Sequence, residues 1–201
     1  MTSHAISQTS RSLDLDTPVL TTDRLVLRPP GRDDIDDLVT IANDRDIAAM
    51  TSRLPHPYER THGENFICAI EDGTASGHIF AVTLAKTGHL IGMCGVEMRA
   101  RSNGLEVGYW IGKRWWGHGY ATEASKAAVD LSFKVTGTDE IFATCQRDNA
   151  ASRQVLLKQG FRFVGLDEVE TVASGLVSVE RYRVTRSDWL FHALNANSDA
   201  A

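Results

Sequence analysis

The sequence predicts an α+β fold: one domain on a mixed, mostly antiparallel sheet with helices on both faces. Three observations lead there. Segments with period-two alternation come in neighbouring pairs joined by short turns, as antiparallel hairpins require. Segments with helical spacing are interleaved with them, which excludes all-β and all-α architectures. No internal repeat or low-complexity linker divides the 201 residues, a length that suits one domain.

The elements follow in order. Residues 1–16 are rich in Ser and Thr and read as a flexible arm, with the domain spanning 17–194. "RLVLRP", Arg24 to Pro29, alternates as a strand and is stopped by Pro29, Pro30 and Gly31. "DDIDDLVTIA" places Ile35, Leu38, Ile41 and Ala42 at helical spacing, with acidic residues where the helix dipole favours them. "RLPHPYER" is a loop, because two prolines in three positions exclude a helix interior. "GENFICAIED" is a second short helix.

A meander comes next, with strands "HIFAVTLA", "LIGMCGVEMR" and "LEVGYWI" joined by "KTGH" and "RSNG". Asn103-Gly104 is a strong hairpin signal, since both residues tolerate positive φ. The pattern then predicts a helix over 121–135, a strand over 140–146 and a helix over 150–159. Strands over 161–168 and 179–186, a short C-terminal helix and a flexible tail at 195–201 complete the chain.

Composition narrows the functional classes. The formal charge of −5 argues against a nucleic-acid footprint, which needs a basic surface. Cys68, Cys94 and Cys145 are far apart and cannot all pair, which fits a reduced, cytoplasmic setting. No apolar run reaches membrane-span length, and the first residues lack the apolar core of a signal peptide. The seven histidines show no ligand spacing, so no metal is expected.

The stretch "KRWWGHGYATEA" sets Gly117 and Gly119 between a strand and an Ala-rich helix. A helix start exposes unpartnered N–H groups and partial positive charge, and glycines let a phosphate approach them. It is not a Rossmann loop, whose third glycine position is Thr122 here, nor a P-loop. Arg114-x-x-Gly117-x-Gly119, followed by "DNAASRQVLLKQGF", resembles the GNAT superfamily of acetyl-CoA-dependent N-acetyltransferases. The branch it most resembles is that of the ribosomal-protein N-terminal, Rim-type, enzymes. The likeness runs from "TPVLTTDRLVLRP" to "VERYRVTRSDW".

The resemblance implies a sheet splayed at its central strand and acetyl-CoA as co-substrate. It implies that the coenzyme A pyrophosphate meets the main chain of Trp116, Gly117, His118, Gly119, Tyr120 and Ala121, beside Arg114 and Thr122. It implies that the pantetheine arm pairs with the open main chain near Tyr109, Trp110 and Ile111, and that Asn149 touches the cofactor. From the residues alone, Asn149 is an N-cap, compatible with that contact. Ser152 is either a plain first-turn serine or a hydroxyl that stabilises the leaving thiolate. The side chain of His118 is expected to face solvent, and Cys145 to be a buried small hydrophobe.

An amine must be neutral to attack a thioester. At pH 7 roughly a tenth to a third of a peptide α-amine is neutral, but only about a thousandth of a lysine amine. Glu106 is the leading candidate base, or else a carboxylate paired with an arginine; Glu168, Glu170 and water are the reserves. The expected partner is an amine, either a peptide N-terminus or a small molecule, and the expected state is a monomer or homodimer. A coenzyme-A-binding module without catalysis is the competing function.

Overall fold

The computed structural model describes residues 17–75 and 77–198. The expected arm at 1–16 and the last three residues of the expected tail lie outside the described residues. Eight strands form one sheet: β1 (Leu20–Thr21), β2 (Leu25–Arg28), β3 (His78–Leu84), β4 (Leu90–Arg99), β5 (Gly104–Ile111), β6 (Glu140–Gln146), β7 (Arg162–Thr171) and β8 (Gly175–Thr185). The helices are α1 (Ile35–Ala42), α2 (Arg45–Ala49), α3 (Arg60–Glu71), α4 (Tyr120–Val135), α5 (Ala150–Lys158) and α6 (Arg186–Ser198). The last runs four residues past the expected domain end at 194.

The strand order is β1-β2-β3-β4-β5-β6-β8-β7. Every neighbouring pair is antiparallel except β5–β6, which is parallel. A parallel pair needs a long crossover, and α4 provides it. The sheet is covered on both faces. Phe80, Val82, Val96 and Phe133 belong to one buried cluster, which includes α4. Ile79, Ala81 and Met93 belong to the other, with Ile35 and Leu38 of α1 and Ile67 of α3. Burial on both faces is why "HIFAVTL" reads as a continuous apolar run.

Two elements depart from the sequence reading. Residues 45–49 form the short helix α2, capped by Asp44, whose Oδ1 accepts from the N–H groups of Asp46 (2.8 Å) and Ile47 (3.3 Å). The stretch between the last two expected strands is not a loop but the end of a long hairpin, paired as far as Thr171↔Gly175. Its turn is closed by the Thr171 hydroxyl, which donates to Gly175 O (3.0 Å) and accepts from Ser174 N–H (3.1 Å).

The feature that positions the site is the short β5–β6 contact. Strand β5 pairs with β4 along its whole length, but with β6 only at Leu105↔Ile141 and Glu106↔Phe142. Beyond Glu106 the two strands part, and one edge of β5 is left open.

Candidate active site

Antiparallel pairing alternates which residues turn their main chain toward the partner. Gly112 N–H bonds Ile91 O (2.8 Å), so the alternation turns the Trp110 main chain toward β4 and those of Tyr109 and Ile111 toward the splay. The expected role of Trp110 as a main-chain partner is therefore corrected: its polar groups belong to the β4 ladder. Ile111 O already accepts from the Trp116 indole N–H (2.6 Å). The Tyr109 main chain and the Ile111 N–H remain for an amide-bearing arm.

After Ile111 the chain makes a 3-10 turn, Lys113–Trp115, and enters the glycine loop. Trp116 N–H closes that turn on Lys113 O (3.1 Å). This corrects the expectation that it faces a phosphate. Gly117 and Gly119 both sit in the left-handed region, at φ 78° and 79°. The first helical bond of α4 is Glu123 N–H to Gly119 O (3.1 Å). Among the described residues no acceptor meets the N–H groups of 117–122. They form a run of free donors at the positive end of a helix 16 residues long, which suits an anion. The His118 side chain is exposed, its Nδ1 lying 2.8 Å from Trp116 O. The Arg114 guanidinium stacks on the Trp115 ring, 3.8 Å from its centroid. Lys113 pairs with Asp46, tying the loop to α2.

Across the splay, α5 begins at the Asn149 cap, whose Oδ1 accepts from Ser152 N–H (2.9 Å). Ser152 Oγ lies 3.0 Å from the Tyr109 hydroxyl. Burial pushes the Tyr109 phenol well above its ordinary range and outweighs the opposing bond to Ser152, so the group stays protonated. Cys145 is buried at 5% exposure, and burial first, then the Glu180 charge, lifts its thiol to about 11. A thiol held there is no nucleophile at neutral pH.

These elements enclose a cleft of about 1000 Å³. In the β4–β5 register, Gly95 faces Gly108 between the pairs Met93↔Trp110 and Glu97↔Glu106. A Cβ on Gly108 would meet nothing within 4 Å, so that glycine leaves open room above the strand. Glu106 is 9% exposed. Its Oε1 accepts from Arg101 Nη2 (3.0 Å) and Thr144 Oγ1 (3.1 Å), and its Oε2 from Ser102 Oγ (3.4 Å). Glu97 is held by Arg53, at 2.6 and 3.1 Å, and by Arg99 at 3.4 Å. Val172 N–H bonds Ser52 O (3.0 Å) and Gln146 Nε2 bonds Ala49 O (2.6 Å).

Of the reserve carboxylates, Glu168 is exposed and does not line the cleft. Glu170 borders a side crevice shared with Glu106. The alternation of β7 accounts for both, since Val169 and Thr171 are the residues it turns into the cleft. Sequence reasoning missed Glu97: a two-residue turn at Asn103-Gly104 would pair Arg101 with Glu106, whereas the loop is Ala100–Asn103, Gly104 already lies in β5 opposite Arg99, and Glu97 comes to face Glu106. It also missed the Tyr109 hydroxyl, for which no linear pattern signals a partner 43 residues away.

An open strand edge thus runs into a cradle of free N–H groups, with a capped helix start across the gap. The chain belongs to the acetyltransferase (GNAT) domain family, whose model matches residues 24–162. It is an N-acetyltransferase with acetyl-CoA as acyl donor. It is 27% identical over 174 residues to the uncharacterised N-acetyltransferase p20 of Bacillus licheniformis, covering 85% of this chain and 97% of that protein. Spermidine N-acetyltransferase from Vibrio cholerae, in complex with CoA and spermine, shares the fold at TM-score 0.69 and 24% identity, over 84% of this chain and 99% of that one. RimJ of Mycobacterium smegmatis, in complex with CoA-disulfide, matches at TM-score 0.69 and 21% identity, over 82% and 83%. Among the described residues no helix is long and apolar enough to cross a membrane.

Proposed function

We propose that the chain moves an acetyl group from acetyl-CoA directly to a primary amine, either a peptide α-amine or a small amine. The observation that carries this reading is the continuity of the open β5 edge with the free N–H groups of 117–122. That run offers donors first to an amide-like arm and then to a diphosphate. The bound thioester supplies the activated acetyl group. The Tyr109 N–H polarises the attacked carbonyl, while the Ile111 N–H holds the amide-like arm.

Glu106 takes the amine proton on Oε2, the oxygen with only one long contact, while Arg101 and Thr144 hold Oε1 in place. Ser152 Oγ–H donates to the departing sulfur, and Tyr109 holds that hydroxyl in position. The acceptor lies at the Arg53–Glu97–Arg99 end. A peptide N-terminus is favoured chemically over a lysine amine, because much more of it is neutral at pH 7. The polyamine in the Vibrio cholerae neighbour keeps small amines in the acceptor class.

The test is thiol release from acetyl-CoA across a panel of peptides and small amines. Amine-dependent release at any member supports the reading. CoA binding without release at any member supports a binding module, which the arginine pairing of both Glu97 and Glu106 would suit.

A further inference from the structure

Gly117 and Gly119 have no side chains with which to anchor their loop, yet the loop has an anchor. Arg24, at the β1–β2 turn, donates from Nη1 to His118 O (2.8 Å) and from Nε to Glu123 Oε2 (2.7 Å). Its Nη2 lies 2.6 Å from the same Oε2. Its main-chain N–H (2.9 Å) and the Thr22 hydroxyl (2.6 Å) donate to Glu123 Oε1. The guanidinium lies 4.7 Å from the centroid of the Tyr120 ring. Contacts to residues 118, 120 and 123 bracket both the loop and the first turn of α4.

The geometry points to Arg24 as a positioning residue for the diphosphate cradle, acting through Glu123 and the His118 carbonyl. This rests on the acetyl-CoA reading. Two effects combine. Tying the His118 carbonyl fixes the peptide plane whose other end is the Gly119 N–H, so that donor is oriented before the ligand arrives. The second effect is electrostatic. Glu123 stands in the first turn of α4, where its negative charge would repel a diphosphate; the guanidinium neutralises it there. Burial works to raise the Glu123 pKa, but the bonds from Thr22 and Arg24 outweigh it and hold the carboxyl below its ordinary range, so the charge that Arg24 offsets is present at neutral pH. Arg24 itself is about half exposed, so the brace works by orientation and local charge balance rather than by bulk stability.

The test is calorimetric titration of wild type, Arg24→Met and Arg24→Lys with CoA, and with pantetheine at millimolar concentration as the arm without phosphates. Arg24→Met should weaken CoA by about tenfold, as loss of charged hydrogen bonds would, and leave pantetheine within about twofold. Arg24→Lys, which keeps the charge but loses the fork, should fall between, and it carries the test if Arg24→Met does not fold. Equal loss for both ligands, or unchanged CoA affinity in a folded variant, overturns the brace. A wild-type protein that binds no CoA overturns the acetyl-CoA reading and the brace with it; the variants then have nothing to report.

Discussion

The hydroxyls of Tyr109 and Ser152 lie 3.0 Å apart, joining the open edge of β5 to the first turn of α5 across the splay. The Tyr109 phenol is held neutral by burial, and it can donate to Ser152 O at 3.4 Å or share a hydrogen bond with Ser152 Oγ in either direction. When the phenol donates to Ser152 Oγ, the serine proton is left to point into the cleft.

Ser152→Ala should slow the chemical step on the order of tenfold, the worth of one hydrogen bond to a charged group. Tyr109→Phe should slow it less, because the serine keeps its proton but loses its orientation. Single-turnover rates for the two single variants and the double variant check this. The double variant should be no slower than Ser152→Ala; fully additive losses would separate the two hydroxyls.

Glu106→Gln should lower kcat by about 10²-fold with CoA affinity unchanged, as loss of a general base does. The glutamine keeps an acceptor for Arg101 and Thr144, so the local packing survives. A two- or three-fold effect on kcat would assign Glu106 to holding Arg101, and would leave water as the proton acceptor.

Gly119→Asp should abolish CoA binding in a folded protein. The substitution forces an L-residue to φ 79° and brings its Cβ within 3.5 Å of Arg24 Nη2, where a carboxylate would compete with Glu123 and the His118 carbonyl for the guanidinium that holds the loop. Calorimetry beside a thermal melt checks it, and unchanged affinity in a folded variant would remove the diphosphate from this loop.

His78 is 4% exposed, and among the described residues neither ring nitrogen has a partner. Burial holds its pKa below the ordinary 6.5. The sign follows from proton counting. Above 6.5 the ring is neutral in both states; below it the unfolded chain takes up a proton that the folded chain resists. Stability should therefore fall as pH drops from 6.5 toward the depressed folded value. His78→Phe should flatten that part of a stability-against-pH curve from denaturant melts. An identical slope in the variant would place the sensitivity elsewhere.

Much of this was legible in linear order. Asn103-Gly104 marked where β4 turns into β5 but not the register, since Gly104 pairs opposite Arg99, and the alanine spacing after Gly119 marked Ala124 and Ala128 of the buried face of α4. The glycine loop and the Asn149 cap were legible because each uses neighbours within a few residues. What escaped depends on distant partners. Arg24 meets Glu123 from 99 residues away, and no period carries that distance. The main-chain roles of Trp110 and Trp116 also escaped, since the phase of a ladder and a 3-10 closure decide them rather than residue type. The tip of the β7–β8 hairpin was hidden by Glu168, Glu170 and Ser174, which look like a loop until Val169, Thr171, Val177 and Val179 are seen to share one face.

The loop's glycines also sort substitutions by different criteria. Gly112 has an ordinary φ of −56°, and a Cβ there would strike Ile41 and Trp115 at 2.7 Å. Size is what that position excludes. Gly117 is the reverse: a Cβ would meet nothing within 4 Å, but the backbone is left-handed. Handedness is what it excludes. Asparagine, which visits left-handed backbone readily, is tolerated at 117 better than the smaller alanine. Ranking variants of this loop by side-chain volume therefore orders position 112 correctly and inverts position 117.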